Sequence, residues 1–286
     1  MEHGSALDPH FAIGGDLRVG RLGFGAMRLC GSGVWGEPAD PAAARALLRE
    51  AVEQGVTVID TADAYGPEVN ERQIADALHP YPTGVHVATK GGYTRPAAGR
   101  WVPDGRPEHL IEACEASLRR LKLDAIDLYQ LHTPDPKVPF EESVGALKRL
   151  RDEGKIRHAG LSNVDVAQLR AAQAILPIAS VQNAYNVGDR ESEDVVRACA
   201  REAIAFLAYY PIDAGDLAKA GGELADIAGS HGATTVQIAL AWLLQHAPNV
   251  IPIPGTSSPA HLRENLGAAR IVLSDAEVER LDASAA

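Results

Sequence analysis

Cysteine is scarce in this chain. Cys30, Cys114 and Cys199 are the only three, they stand far apart, and no two form a C-x-x-C pair. Such usage offers neither a disulfide framework nor a zinc site, and is expected of a cytoplasmic protein. Basic charge is also short: 27 Lys and Arg against 38 Asp and Glu leave a formal net charge of −11. That balance argues against affinity for nucleic acid or an anionic membrane surface. Long hydrophobic runs are missing, since stretches such as Ile238 to Leu244 fall well below the roughly 18 to 20 residues of a bilayer span. Met1 to His10 carries acidic and His residues in place of a basic stretch and an apolar run, so no secretory leader is visible. Residues 1–10 are expected to be a disordered extension. His158 and His246 lack metal-ligand spacing with other donors, and no metal is expected.

What remains is an ordinary folded composition, 46% hydrophobic and 23% charged over 286 residues. Eight short apolar runs alternate with amphipathic stretches: Leu22 to Gly25, Val56 to Thr61, Val85 to Thr89, Ile126 to His132, Ala159 to Ser162, Ala179 to Gln182, Ala205 to Tyr209 and Val250 to Ile253. Several are rich in Val and Ile without polar alternation, as strands buried on both faces are. Helix signals sit between them. Asp40-Pro41 caps a segment that ends at Gly55, while Thr234 with Gln237 and Ser274 with Glu277 form capping boxes. Eight strand and helix units without an intervening linker predict an α/β fold, one (β/α)8 barrel domain over 1–286, with an open doubly wound sheet as the alternative. Phe11 to Val19, turning at Gly14-Gly15-Asp16, predicts a hairpin that plugs the barrel bottom. Gly91 to Arg106 reads as a long functional connection.

Gly31-Ser32-Gly33-Val34-Trp35-Gly36 matches the dinucleotide fingerprint G-x-G-x-x-G in letters. The fingerprint needs its last Gly to open a helix, whereas Glu37-Pro38 follows and the helix signal starts at Asp40-Pro41. The match is rejected.

Asp60, Lys90 and His132 each close a predicted strand, and Tyr65 follows Asp60 by five residues. Strand ends of one barrel converge at its mouth. Tyrosine is a weak acid, with a pKa of about 10, and a neighbouring ammonium stabilises its phenolate. A tyrosine acid, a lysine tuning it, a carboxylate holding the lysine and an imidazole for a polar substrate group are the parts carbonyl reduction requires. The chain resembles the aldo-keto reductases over nearly its whole length, through GFGAMRL, DTADAYGPEVNE, ATKGG, SLRRLKLDAIDLYQLH, EGKIRHAGLSNV, VQNAYN and IPGTSSPAHLREN in order. That resemblance implies a (β/α)8 barrel and a nicotinamide-dependent carbonyl reductase. It makes Tyr65 the proton donor, Asp60 and Lys90 its tuning pair, and His132 the residue orienting the carbonyl.

The same resemblance implies that Ser162, Asn163 and Gln182 bind the nicotinamide carboxamide and that Tyr209 stacks on its ring. Thr256, Ser258, His261, Glu264 and Asn265 match the adenosine and 2′-phosphate segment. There the chain departs from the pattern: Gly255 replaces a common Lys and His261 a common Arg, so NADPH is expected with NADH possible and Arg263 a substitute phosphate ligand. Tyr210 stands where relatives often carry Ser. Trp35, Tyr93 and Trp101 are candidates for an apolar substrate pocket. The one final helix after Ser274 predicts a pocket without a long C-terminal flap, open to aromatic or bulky carbonyls, pyridoxal-type substrates among them. A small-molecule carbonyl is the expected partner, with neither nucleic acid nor membrane, and the sequence does not set the number of subunits. The alternative reading is a nicotinamide-binding regulatory subunit with little turnover.

Overall fold

The computed structural model describes residues 8–219 and 221–284. Strands β1 (His10–Ile13) and β2 (Leu17–Gly20) pair antiparallel about Gly14-Gly15, both at positive φ. Position 10, expected to lie in a disordered extension, is therefore ordered in β1. His10 already pairs with Gly20, and residues 1–7 lie outside the described residues.

Eight parallel strands follow: β3 (Phe24–Gly25), β4 (Val58–Asp60), β5 (His86–Gly91), then, after a two-stranded ribbon of β6 (Tyr93–Ala97) and β7 (Arg100–Pro103), β8 (Ile126–Leu131), β9 (Ile156–Ser162), β10 (Ile178–Ala184), β11 (Ala205–Tyr209) and β12 (Val250–Pro252). They pair in chain order, β3-β4-β5-β8-β9-β10-β11-β12. The seam closes where Gly23 N–H donates to Pro252 O at 2.9 Å and Gly25 N–H to Pro254 O at 3.3 Å. The architecture is the expected (β/α)8 barrel. Glycine at 23 and 25 permits that closure, because a Cβ at Gly25 would stand 2.6 Å from Ile253 O. Buried Arg21 reinforces the seam by donating to the carbonyls of Leu244 and Ala247, both at 2.6 Å.

Helices α1 (Pro41–Glu53), α2 (Val69–Leu78), α3 (Pro107–Leu121), α4 (Phe140–Asp152), α5 (Val166–Gln173), α6 (Glu193–Arg201), α7 (Glu223–His231), α8 (Thr235–His246), α9 (Pro259–Gly267) and α10 (Asp275–Ala283) connect and surround the strands. Asp40 caps α1 through Ala43 N, and both expected capping boxes form at α8 and α10. Inside the barrel, Ile13, Leu17 and Val19 of the hairpin join Val58, Leu128 and Ile251 in one apolar cluster, so the hairpin does plug the bottom.

Residues 91–106 hold more order than their two prolines suggest. The ribbon tolerates Pro96 because the β6-β7 register shifts between Thr94 and Ala97, leaving that position out of the ladder. The Gly31–Gly36 segment is a closed loop, with Gly31 N–H donating to Gly36 O at 3.0 Å, and α1 begins five residues beyond it at Pro41. No helix opens on these glycines.

Candidate active site

Asp60 ends β4, Lys90 lies one residue before the end of β5, and His132 follows β8 directly. All three reach the barrel mouth. Lys90 Nζ donates to Asp60 Oδ1 at 2.7 Å, Asp60 Oδ2 at 2.9 Å and Thr61 O at 2.8 Å. The pair is buried, with side chains 0% and 4% exposed. Burial pulls the Lys90 ammonium below its usual value while Asp60 pulls it back. A buried charge pair persists only when such partners satisfy it.

Tyr65, on the loop between β4 and α2, is buried above this pair, with Lys90 Nζ 5.2 Å from its ring centroid. Burial pushes its phenol well above the ordinary tyrosine value, and the Asp60 charge pushes in the same direction. Desolvation is the largest of these effects and favours the protonated phenol. His132 packs edge-on against Tyr65 and Tyr93, with centroids 5.8 and 4.8 Å apart. Burial first, then the Lys90 charge, drives its pKa well below the ordinary histidine value. It is a neutral imidazole, and its buried Nδ1 has no hydrogen-bond partner.

These side chains open on a cavity of about 670 Å³. Asp60, Tyr65 and His132 line it together with Ser162, Asn163, Gln182, Tyr209, Thr256, His261, Glu264 and Asn265, so most of the sequence candidates converge on one space. Gln182 Nε2 donates to Asp60 Oδ2 at 2.7 Å, a link between the two sets that sequence reasoning missed. Asn163 adopts φ 59°, donates to His132 O and accepts from the Tyr209 hydroxyl at 2.7 Å. Tyr93 and Trp101 also line the cavity.

Several placements differ from expectation. Trp35 does not line the cavity; it bridges to Gly66 and stands behind Arg95. Ser258 is absent from the wall as well, because its hydroxyl caps α9, and Ser257 takes the lining position. Glu264 accepts a hydrogen bond from Thr234 at 2.7 Å. Arg263 is paired with Glu50 at 2.7 Å and cannot serve as the missing cation without leaving it. Among the described residues, Arg28 is the one Lys or Arg on the cavity wall, and it has no ion-pair partner. Its neighbour Gly255 explains the crowding: a Cβ there would lie 2.7 Å from Gly25 O and 3.4 Å from Arg28 Cγ. Arg28 was legible in GFGAMRL only as part of a motif. Tyr210, at φ 49° and 47% exposed, lies at the rim with its ring edge against Tyr209. Among the described residues no three His, Cys, Asp or Glu side chains are grouped for a metal ion.

Residues 21–286 match the model of the aldo/keto reductase family. The chain belongs to that family. An uncharacterized oxidoreductase of Schizosaccharomyces pombe is 45% identical over 268 residues, covering 94% of this chain and 87% of the relative. A pyridoxine 4-dehydrogenase of Escherichia coli K12 is 42% identical over 274 residues, covering 94% and 96%. Among solved structures, an aldo/keto reductase of Klebsiella pneumoniae in complex with NADP and acetate superposes with a TM-score of 0.81 at 28% identity, covering 96% of this chain and 95% of the other. This aldo-keto reductase is an oxidoreductase, and the regulatory-subunit reading gains nothing from relatives named for oxidation and reduction.

Proposed function

We propose that this enzyme reduces an aldehyde or ketone to an alcohol with NADPH, using Tyr65 as the proton donor. The observation that carries the reading is the buried Tyr65 side chain facing the cavity beside the buried Lys90-Asp60 pair. The cavity suits a dinucleotide in size and in the order of its groups, and the Klebsiella relative holds NADP. Ser162, Asn163 and Gln182 would hold the carboxamide, with Gln182 keeping its side-chain oxygen free after donating to Asp60. Tyr209 would cover the nicotinamide ring, while Thr256, His261 and Asn265 would meet the adenosine end. Arg28 supplies the cation that favours NADPH over NADH.

When bound, the reduced nicotinamide supplies a hydride to the carbonyl carbon. The chain does the rest. Neutral His132 offers its ring edge to the carbonyl oxygen and fixes the direction in which the carbonyl points. As negative charge grows on that oxygen, Tyr65 Oη gives up its proton, since an alkoxide is the stronger base. The phenolate left behind is stabilised by Lys90, whose own charge Asp60 and Thr61 O keep in place. The ammonium thus matters most after transfer has begun. Tyr93 and Trp101 form aromatic walls suited to a flat aromatic carbonyl, and the E. coli relative's name points to a pyridoxal-type compound as one such substrate. The test is consumption of NADPH with benzaldehyde and with pyridoxal, beside NADH at equal concentration. Aldehyde-dependent loss of NADPH, faster than of NADH, is expected; no turnover with either nucleotide would contradict the reading.

A further inference from the structure

Arg95 is 8% exposed, lies outside the cavity wall and, among the described residues, takes part in no ion pair. It sits on β6 two residues after Tyr93 and faces the same side of the ribbon. Its guanidinium carbon stands 3.7 Å from the Trp101 ring centroid and 5.5 Å from that of Trp35. One terminal nitrogen donates to Val34 O at 3.1 Å and Ala64 O at 3.0 Å, and the other to Gly33 O at 3.2 Å. Three separate segments are held by one side chain: the Gly31–Gly36 loop, the loop that carries Tyr65, and the ribbon that carries Tyr93 and Trp101.

The choice of arginine follows from geometry. A planar fork can donate in its own plane to several carbonyls while its face lies on an indole, which an ammonium on a flexible stem cannot do. Ala64 O belongs to the peptide plane that leads into Tyr65, so fixing that carbonyl fixes the approach of the Tyr65 backbone. The loop beside it is stitched to the same place, with Gly66 N–H donating to Val34 O at 3.3 Å and Gly36 N–H to Gly66 O at 2.7 Å. Val34 adopts φ 56°, a left-handed conformation that a β-branched residue avoids unless its surroundings enforce it. Arg95 is part of that enforcement. On its other side, Trp101 stands 6.2 Å from the Tyr65 ring and 5.5 Å from Tyr93.

We propose that Arg95 is a positioning residue that couples the proton donor to the aromatic wall: through Ala64 O it sets Tyr65, and by stacking it sets Trp101, so that a flat carbonyl held by the wall meets the phenol in register. The inference rests on the reductase reading above. It makes Arg95 a determinant of which carbonyls are reduced, without contact to substrate or cofactor.

The test compares Arg95→Met, Arg95→Lys and Trp101→Leu with the wild type. Each is assayed with benzaldehyde and propanal, NADPH affinity is measured separately by fluorescence titration, and assays run well below each variant's melting temperature. For Arg95→Met the expected result is NADPH affinity within twofold of wild type, a benzaldehyde kcat at least tenfold lower, and a larger solvent deuterium isotope effect as misplaced Tyr65 slows proton transfer. The preference for benzaldehyde over propanal should shrink toward unity. Arg95→Lys should recover only part of kcat. Trp101→Leu should lose the preference for benzaldehyde over propanal without the larger solvent isotope effect, because the carbonyl anchors at Val34 and Ala64 survive. If Arg95→Met merely melts earlier and keeps wild-type kcat, preference and isotope effect, or if it fails to fold and Arg95→Lys shows all three unchanged, the positioning role is wrong. A wild type that turns over neither aldehyde would instead overturn the reductase reading itself.

Discussion

The two ends of the barrel each combine Asp and His with a basic side chain and use them differently. At the bottom, His86, Asp127, Arg157, Asp16 and His158 form a chain of polar contacts, linked at 2.9, 2.9, 3.0 and 2.6 Å, that ties the plugging hairpin to β5, β8 and β9. Arg157 and Asp16 are about half exposed, so water screens the link between them. At the mouth, Lys90, Asp60, Tyr65 and His132 are buried. The phenol is held protonated and the imidazole neutral, while the one ammonium is fully paired. Burial turns a set of charges that could merely steady the fold into a set with assigned protonation states. The same contrast separates the cysteines from any redox role: all three are buried and free, and desolvation raises each thiol to about 12.

The largest effect should come from breaking the mouth's buried pair. Lys90→Met removes the cation that Asp60 holds in the buried site, and chemical denaturation should show a loss of about 3–5 kcal/mol together with loss of turnover. Arg28→Ala tests the exposed charge at the same end. Losing a charge-assisted contact worth about 1.5–3 kcal/mol should weaken NADPH binding roughly ten- to a hundredfold, with a smaller effect on NADH and a smaller difference at high salt. The bottom should respond least. Asp16→Asn should cost about 0–1 kcal/mol at pH 7 and leave kcat unchanged. Burial acts to raise the Asp16 carboxyl, but His158 and Arg157 outweigh it and hold it below the usual value. Its contribution is therefore complete above the unfolded-state pKa of about 3.9 and is lost as pH falls through the lower folded value. Denaturation of wild type and Asp16→Asn should converge in that acid range.

Much of this contrast was legible in the residues. All eight barrel strands could be placed because short apolar runs, several of them rich in Val and Ile, alternate with helix signals and have few other solutions, and the Gly14-Gly15 turn announced the plug. Strand ends then brought Asp60, Lys90 and His132 together. The ribbon at 93–103 escaped notice because its prolines argue against strands and its register shift hides the alternation. Arg95 and Arg28 escaped for a different reason. An arginine's reach decides its role, and nothing in the order of residues says that one folds inward onto three carbonyls while another stands unpaired on a cavity wall. The burial of Tyr65, which raises its phenol, depends on tertiary packing that the order of residues does not show.

Tyr65→Phe puts the central claim to its most direct test, with NADPH affinity and the rate of benzaldehyde reduction measured on the same preparation. A group that donates the proton should, when removed, leave nucleotide binding unchanged and slow reduction by about a hundredfold or more. Reduction at the wild-type rate, with NADPH bound as tightly, would show that the buried phenol is not the acid and that the mouth of this barrel works by other means.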